Sequence, residues 1–156
     1  MNSPAGKPNG MRPLDRSLPL KLLQAREAVM DEFRPNLNAH GVTDQQWRVL
    51  RALAEHKRMD AGELSRLIAL RMPSLSRIMA DMESRGLVVK HRSDKDRRLV
   101  DLEITPAGLD LFGAVSEASE RIYKAMERRI GRGTYARLMA TLDELTAKLS
   151  DSRPES

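Results

Sequence analysis

The 156-residue chain carries 27 Lys and Arg against 22 Asp and Glu, a net charge of +5, with 40% hydrophobic and 31% charged residues, the balance of a folded chain with room for one domain. It has no cysteine, which excludes disulfide frameworks, Cys-based zinc and iron–sulfur sites and thiol chemistry. His40, His56 and His91 stand in no ligand spacing, so neither metal nor cofactor is expected, and an aromatic content of 3% argues against base-stacking platforms for single strands.

No apolar run approaches the ~20 residues of a membrane helix. Residues 1–16 open on a Pro-, Gly- and Asn-rich stretch without the apolar centre of a secretory signal, and read as a flexible tail on a cytoplasmic protein. Leu18, Leu22, Ala25, Val29, Phe33 and Leu37 then recur at helical spacing. Pro35 is expected to kink that helix or end its regular part, and Gly41 to stop it. Thr43 to Gln46 form a capping box that opens a second helix, carrying Trp47, Leu50, Leu53 and Ala54 to about His56. Asp60 to Glu63 signal a third, short helix with Leu64, Leu67 and Ile68 inward. After a break at Arg71 and Met72, Pro73 suits the first turn of a fourth helix. Leu75, Ile78, Met79 and Met82 are its apolar face, and Gly86 is its left-handed stop.

The period then changes. Residues 87–91 read as a strand, and Val100, Leu102 and Ile104 alternate with Asp101 and Glu103 as a second, joined by a charged hairpin tip at residues 92–98. Thr105 and Pro106 launch a long helix with Phe112, Val115, Ser119, Ile122, Met126 and Ile130 on one face. Past residues 131–133 a last helix repeats the pattern with Tyr135, Leu138, Leu142, Leu145 and Leu149, close to a heptad seam.

A short helix pair followed by a hairpin makes a winged helix-turn-helix, its second helix in the major-groove position. Between Arg71 and Val100 eight Lys and Arg face four acids, so this stretch holds +4 of the chain's +5, the footprint of duplex phosphate. The expected fold is mainly α with a small β-hairpin wing. A dimerisation helix would occupy residues 17–41, the winged helix-turn-helix 42–105, and two further dimerisation helices 106–150, whose apolar seams have no other layer to cover them.

The segment Pro73 to Ile78, then Glu83 and Gly86 to Val88, resembles the recognition helix and exit of the MarR family (multiple antibiotic resistance regulators). Asp94 to Arg98 is similar to that family's wing, and Leu102 to Gly108 to its entry into the long helix. Residues 18–53 resemble the branch that regulates homoprotocatechuate degradation. The resemblance implies a homodimeric repressor on double-stranded operator DNA, released by a small aromatic carboxylate bound between the dimer helices and the DNA-binding lobe.

Ser74, Ser76 and Arg77 lie where side chains reach base edges or phosphates, Arg to guanine above all. Ser74 is equally suited to satisfying first-turn amides. Arg97 and Arg98 offer guanidinium groups to a narrow minor groove, while Arg92 and Lys95 are candidate phosphate contacts or solvated charges. For Asp96 the resemblance implies a carboxylate that orients an Arg; the alternative is a turn-former. Trp47 is either core or a wall of the effector pocket. His40 is a helix C-cap residue or a partner for a phenol. Arg16, Ser17 and Arg26 are candidate anchors for a carboxylate. No nucleophile elbow or phosphate-binding Gly-rich loop is present, so catalysis is not expected. Two rivals stay open: a constitutive architectural DNA-binding protein without effector, and a helical adaptor whose basic hairpin binds an acidic protein.

Overall fold

Three helices of this chain end with the same pair of hydrogen bonds, and those ends decide where the next elements begin. The computed structural model describes residues 10–93, 96 and 98–150. Helix α1 (Leu18–Ala39) is capped by Ser17, whose hydroxyl accepts from Leu20 N. It closes through Val42 N to Leu37 O (3.0 Å) and Gly41 N to Asn38 O (3.1 Å), with Gly41 at φ 63°, the Schellman arrangement that satisfies orphan carbonyls. Pro35 does not end the helix, which runs on to Ala39. Residues 1–9 of the expected tail lie outside the described residues, and Leu14–Arg16 forms a 3-10 turn.

Helix α2 (Asp44–His56) starts on the expected capping box, with Thr43 Oγ1 accepting from Gln46 N and Gln46 Oε1 accepting from Thr43 N. A three-residue strand, β1 (Arg58–Asp60), follows. Sequence patterning missed it, because three residues show no alternation and Asp60 also caps α3 (Ala61–Leu67) through Glu63 N. In α3 the buried pair is Leu64 and Ser65, whereas Leu67 is 56% exposed. The helix ends at Leu67, so that side chain points past the core that Leu64 and Ile68 enter. Its close repeats the pattern of α1, with Leu70 N to Ser65 O (3.0 Å) and Ala69 N to Arg66 O (3.3 Å). Here an alanine occupies the left-handed position, at φ 51°.

Helix α4 (Met72–Ser84) closes in the same way at Gly86. Strands β2 (Val88–Arg92) and β3 (Val100–Ile104) pair antiparallel, and β1 pairs with the other edge of β3, giving a sheet of order β1-β3-β2. Leu37, Leu50, Leu53, Leu64, Leu75, Met79, Met82, Val88 and Leu102 are fully buried between these helices and the sheet.

Thr105 joins the sheet to α5 (Pro106–Ile130). Its hydroxyl donates to Gly86 O (2.6 Å) and accepts from Gly108 N (3.1 Å), while its amide donates to Leu87 O (3.1 Å). One threonine thereby caps α5 and ties it to the exit of α4. A Cβ on Gly108 would lie 2.2 Å from Leu87 O and 2.7 Å from Ile104 Cγ1, so only glycine allows the first turn of α5 to approach this closely.

The chain divides into two compact units, Met1–Val115 and Ser116–Ser156. In the first, Asn36 Nδ2 donates to Val115 O (3.0 Å), and Trp47 stacks on Phe112 with ring centroids 5.5 Å apart. In the second, α6 (Arg132–Ser150) has no buried residue, and Leu138 and Leu149 of its seam are exposed. The stripe on α1 is also uncovered at Leu18, Leu22 and Val29; only Phe33 and Leu37 of that helix are buried.

Two substitutions test the helix ends in opposite directions. Gly108→Ala should destabilise by about 2 kcal/mol or more, since a backbone carbonyl must move. Ala69→Gly should stabilise by up to about 1 kcal/mol by removing the left-handed penalty. Urea unfolding of both variants would measure these shifts.

Candidate nucleic-acid interface

Helix α4 begins at Arg71, whose extended backbone serves as N-cap without a side-chain bond, and Pro73 fills the first turn. Leu75, Met79 and Met82 face the core. The remaining angular positions therefore turn outward, with Ser76 and Arg77 exposed and Ser74 half-buried. Met72 is exposed at the mouth of the helix.

Residues of α2 hold α4 in place. Gln46 Nε2 donates to Asp81 Oδ2 at 2.7 Å, and Gln46 Oε1 lies 3.5 Å from Arg85 Nη1. The residue that completes the α2 cap thus also grips the C-terminal half of α4. Near the start of α4, Arg48 Nη1 donates to Ile68 O (2.5 Å) and lies 3.4 Å from Ala69 O. Ser65 Oγ donates to Leu70 O at 2.6 Å.

Four basic side chains of this region face an acid. Arg85 pairs with Asp81 (3.7 Å) and Lys90 with Glu83 (3.0 Å). On the sheet, Arg58 pairs with Asp101 (3.1 Å) and His91 with Glu103 (3.0 Å). Arg71 at the N-cap of α4, Arg77 within it, Arg92 on β2 and Arg98 in the wing are exposed. Ser93 N donates to Leu99 O (3.0 Å) across the wing. Asp96 Oδ1 accepts from Arg98 N and Asp96 O from Leu99 N, both at 2.9 Å. Its observed bonds are those of a turn-former. Lys95 and Arg97 lie outside the described residues.

The five candidate effector residues do not converge on one pocket. Ser17, the α1 cap, borders a pocket of about 540 Å³ with Leu14 and Leu18, and Arg16 is exposed in the preceding turn. Arg26 borders another, of about 510 Å³, with Arg34, Asp44 and Arg48. It pairs with Glu27 (2.7 Å) and Asp44 (3.6 Å). His40 is the α1 C-cap and its Nδ1 lies 2.8 Å from Asn36 O. Trp47 is 6% exposed and belongs to the core through Phe112.

Sequence reasoning missed the cluster around Arg34, which donates to Asp31 (2.6 Å), Glu27 (2.6 Å) and Asp44 (3.3 Å). The spacing of Glu27, Asp31 and Arg34 along one helix face was the available signal. Among the described residues no group of three His, Cys, Asp or Glu is placed to hold a metal ion, and no described helix is long and apolar enough to cross a membrane.

Residues 40–99 match the MarR family, and the chain is 40% identical over 136 residues to the HTH-type transcriptional regulator FarR of Neisseria gonorrhoeae, covering 87% of this chain and 92% of that protein. The chain belongs to the MarR family. This MarR-family regulator is also 37% identical over 139 residues to the homoprotocatechuate degradative operon repressor of Escherichia coli, covering 89% of this chain and 93% of that one. Among solved structures it is similar to NadR in complex with 4-hydroxyphenylacetate, with a TM-score of 0.75 and 36% identity, covering 93% of this chain and 100% of that chain. It is a transcriptional regulator of MarR type built on a winged helix, in a family of regulators and not of enzymes.

The Arg34 cluster makes a pH prediction for this MarR-family chain. The hydrogen bond from Arg34 holds the Glu27 carboxyl below its ordinary value of 4.5, against a smaller opposing effect of burial. A lowered carboxylate stabilises the fold above its unfolded value, and the effect fades as pH falls through the folded one. Glu27→Gln should therefore flatten the fall in melting temperature below pH about 4.5 relative to wild type, leaving less difference between the two proteins at pH about 3.

Proposed function

We propose that the chain is a homodimeric, ligand-responsive repressor of a catabolic operon for aromatic acids. It would bind a pseudo-palindromic operator and leave it when a phenolic or aromatic carboxylate binds. One observation carries the DNA reading: Arg71, Arg77, Arg92 and Arg98 are exposed on a single helix-and-wing unit, while Arg85 and Lys90, also exposed, are each paired with an acid.

Ser74, Ser76 and Arg77 are the proposed base-reading and phosphate-reading residues of α4. Arg92, Lys95, Arg97 and Arg98 are proposed to serve the backbone and minor groove, and Asp96 to shape the wing. Residues 17–41 and 106–150 are the proposed dimer elements, supported by the uncovered stripes on α1 and α6. Pairing would set two α4 helices about 34 Å apart, one turn of B-DNA. The effector class rests on the similarity to NadR in complex with 4-hydroxyphenylacetate and to the homoprotocatechuate repressor. Arg16, Ser17, Arg26, His40 and Trp47 are the proposed ligand residues. Ser17 and Arg26 border different pockets of the single chain and Trp47 lies in its core, so a complete site would need the second protomer. A ligand with differential affinity for one dimer geometry shifts the equilibrium by no more than that difference, and ~1–3 kcal/mol of coupling is enough for 5–150-fold in operator affinity.

Two measurements test this. Operator affinity should fall with salt at a log–log slope near −5 to −9, for ~6–10 neutralised phosphates in a dimer. Arg77→Ala should cost about 1–3 kcal/mol per half-site and relax base preference, whereas Arg92→Ala should weaken all sequences equally. A slope shallower than about −2, or two variants with unchanged preference, would refute the interface.

The effector is tested by titrating 4-hydroxyphenylacetate and 3,4-dihydroxyphenylacetate against the fluorescence of Trp47, the single tryptophan, and against operator release. Saturable quenching that weakens in Arg16→Ala or Arg26→Ala is expected. Release by neutral phenols alone, with both variants silent, would overturn the carboxylate assignment.

A further inference from the structure

The turn between α3 and α4 lacks the residue that normally holds such a turn. Its left-handed position is Ala69, at φ 51°, where a side chain carries a conformational penalty that glycine avoids. Helix α3 has seven residues, too few to be rigid without tertiary support. What meets this turn from outside is Arg48, one helical turn into α2. Its Nη1 donates to Ile68 O at 2.5 Å and lies 3.4 Å from Ala69 O, the carbonyls left open where α3 ends.

Arg48 is a poor choice for stability alone. Burial is the main cause that pushes its guanidinium below the ordinary arginine value, with repulsion from Arg26 adding to it. Its Nε is, among the described residues, the one buried side-chain nitrogen without a hydrogen-bond partner. Arg48 is half-buried, and a buried guanidinium nitrogen left without a partner costs free energy that an apolar side chain of similar size would not. What the guanidinium supplies in return is direction: a planar donor fork aimed at the backbone of one turn.

That turn sits at the start of the reading helix. Arg71, the N-cap of α4, is two residues beyond Ala69, and Ser74, Ser76 and Arg77 follow within the first two turns. Gln46, on the same helix as Arg48, already fixes the other half of α4 through Asp81. We propose that Arg48 is a positioning residue for DNA reading: it locks the α3–α4 turn so that α2 fixes α4 near both ends, and base-edge contacts by the first turns of α4 depend on it without Arg48 touching DNA. This rests on the operator-binding reading above.

The experiment compares wild type, Arg48→Lys and Arg48→Met as full-length protein. It measures affinity for operator and for random duplex over a salt series, at a temperature well below each variant's thermal transition. Arg48→Met should lower the operator-to-random ratio about tenfold or more, while the salt slope on random duplex stays as in wild type. Arg48→Lys keeps the charge and one donor and should recover part of the ratio; it carries the test if the Met variant does not fold. An unchanged ratio in the variants, even with a lowered melting temperature, overturns the positioning role. A random-duplex slope smaller by about one per lost contact shows a direct phosphate contact and overturns it as well. If wild type itself does not distinguish operator from random duplex, the operator-binding reading fails and the role of Arg48 falls with it.

Discussion

A helix proposed to read DNA needs its rotation and its axial position fixed separately. The apolar stripe of Leu75, Met79 and Met82 fixes rotation, because turning α4 by one residue would drive Ser76 or Ala80 into the core. A greasy face, however, tolerates sliding. The bond from Gln46 to Asp81, at 2.7 Å, is directional and short, and it fixes α4 along its axis against the start of α2. Gln46 is itself held by the Thr43 amide, so the position of α4 is referred back to the point where α1 gives way to α2. The rest of the first unit is arranged around that reference: α3 must fit between α2 and α4, and the sheet must meet the end of α4 at Val88.

The same economy governs charge. Acids are present throughout the winged unit, but they are spent on particular cations. Asp81 and Glu83 pair with Arg85 and Lys90 at the far end of α4, and Asp101 on β3 pairs with Arg58. Arg71, Arg77, Arg92 and Arg98, at the helix mouth and on the wing, are exposed. A sequence-level count of +4 for this stretch gave the correct sign but not this distribution, which depends on which side chains share a face.

Most of the architecture was legible in the sequence because its signals are local. The Thr43–Gln46 box, Pro73, the glycines at 41 and 86 and the Thr105–Pro106 start each act over three or four residues. The misreadings were cases where tertiary context decides. Of the two expectations for Pro35, a kink or an end, the end fails, because α1 runs on to Ala39. Strand β1 exists only because β3 offers it a partner, so no alternation within Arg58–Asp60 could reveal it. Leu67 has helical spacing but lies at a helix end whose next turn departs. The helix-turn-helix turn was read as a break without its mechanism, since Ala69 gives no glycine signal and its carbonyl partner, Arg48, is some 20 residues away. For the candidate site, the exposed face of α4 followed directly from its apolar face. The candidate effector residues do not assemble within one chain, because Ser17 and Arg26 border different pockets and Trp47 lies in the core.

The contact between Gly108 and the Leu87 carbonyl has a mechanical consequence. Where two backbones touch with no side chain between them, there is no rotamer to readjust and no lubricating layer, so the joint behaves as a weld and not as a hinge. Thr105 adds three hydrogen bonds to the same spot. Whatever motion the regulator undergoes, the exit of α4, the root of the wing and the first turn of α5 must travel as a single piece, and bending has to be taken up elsewhere along the chain.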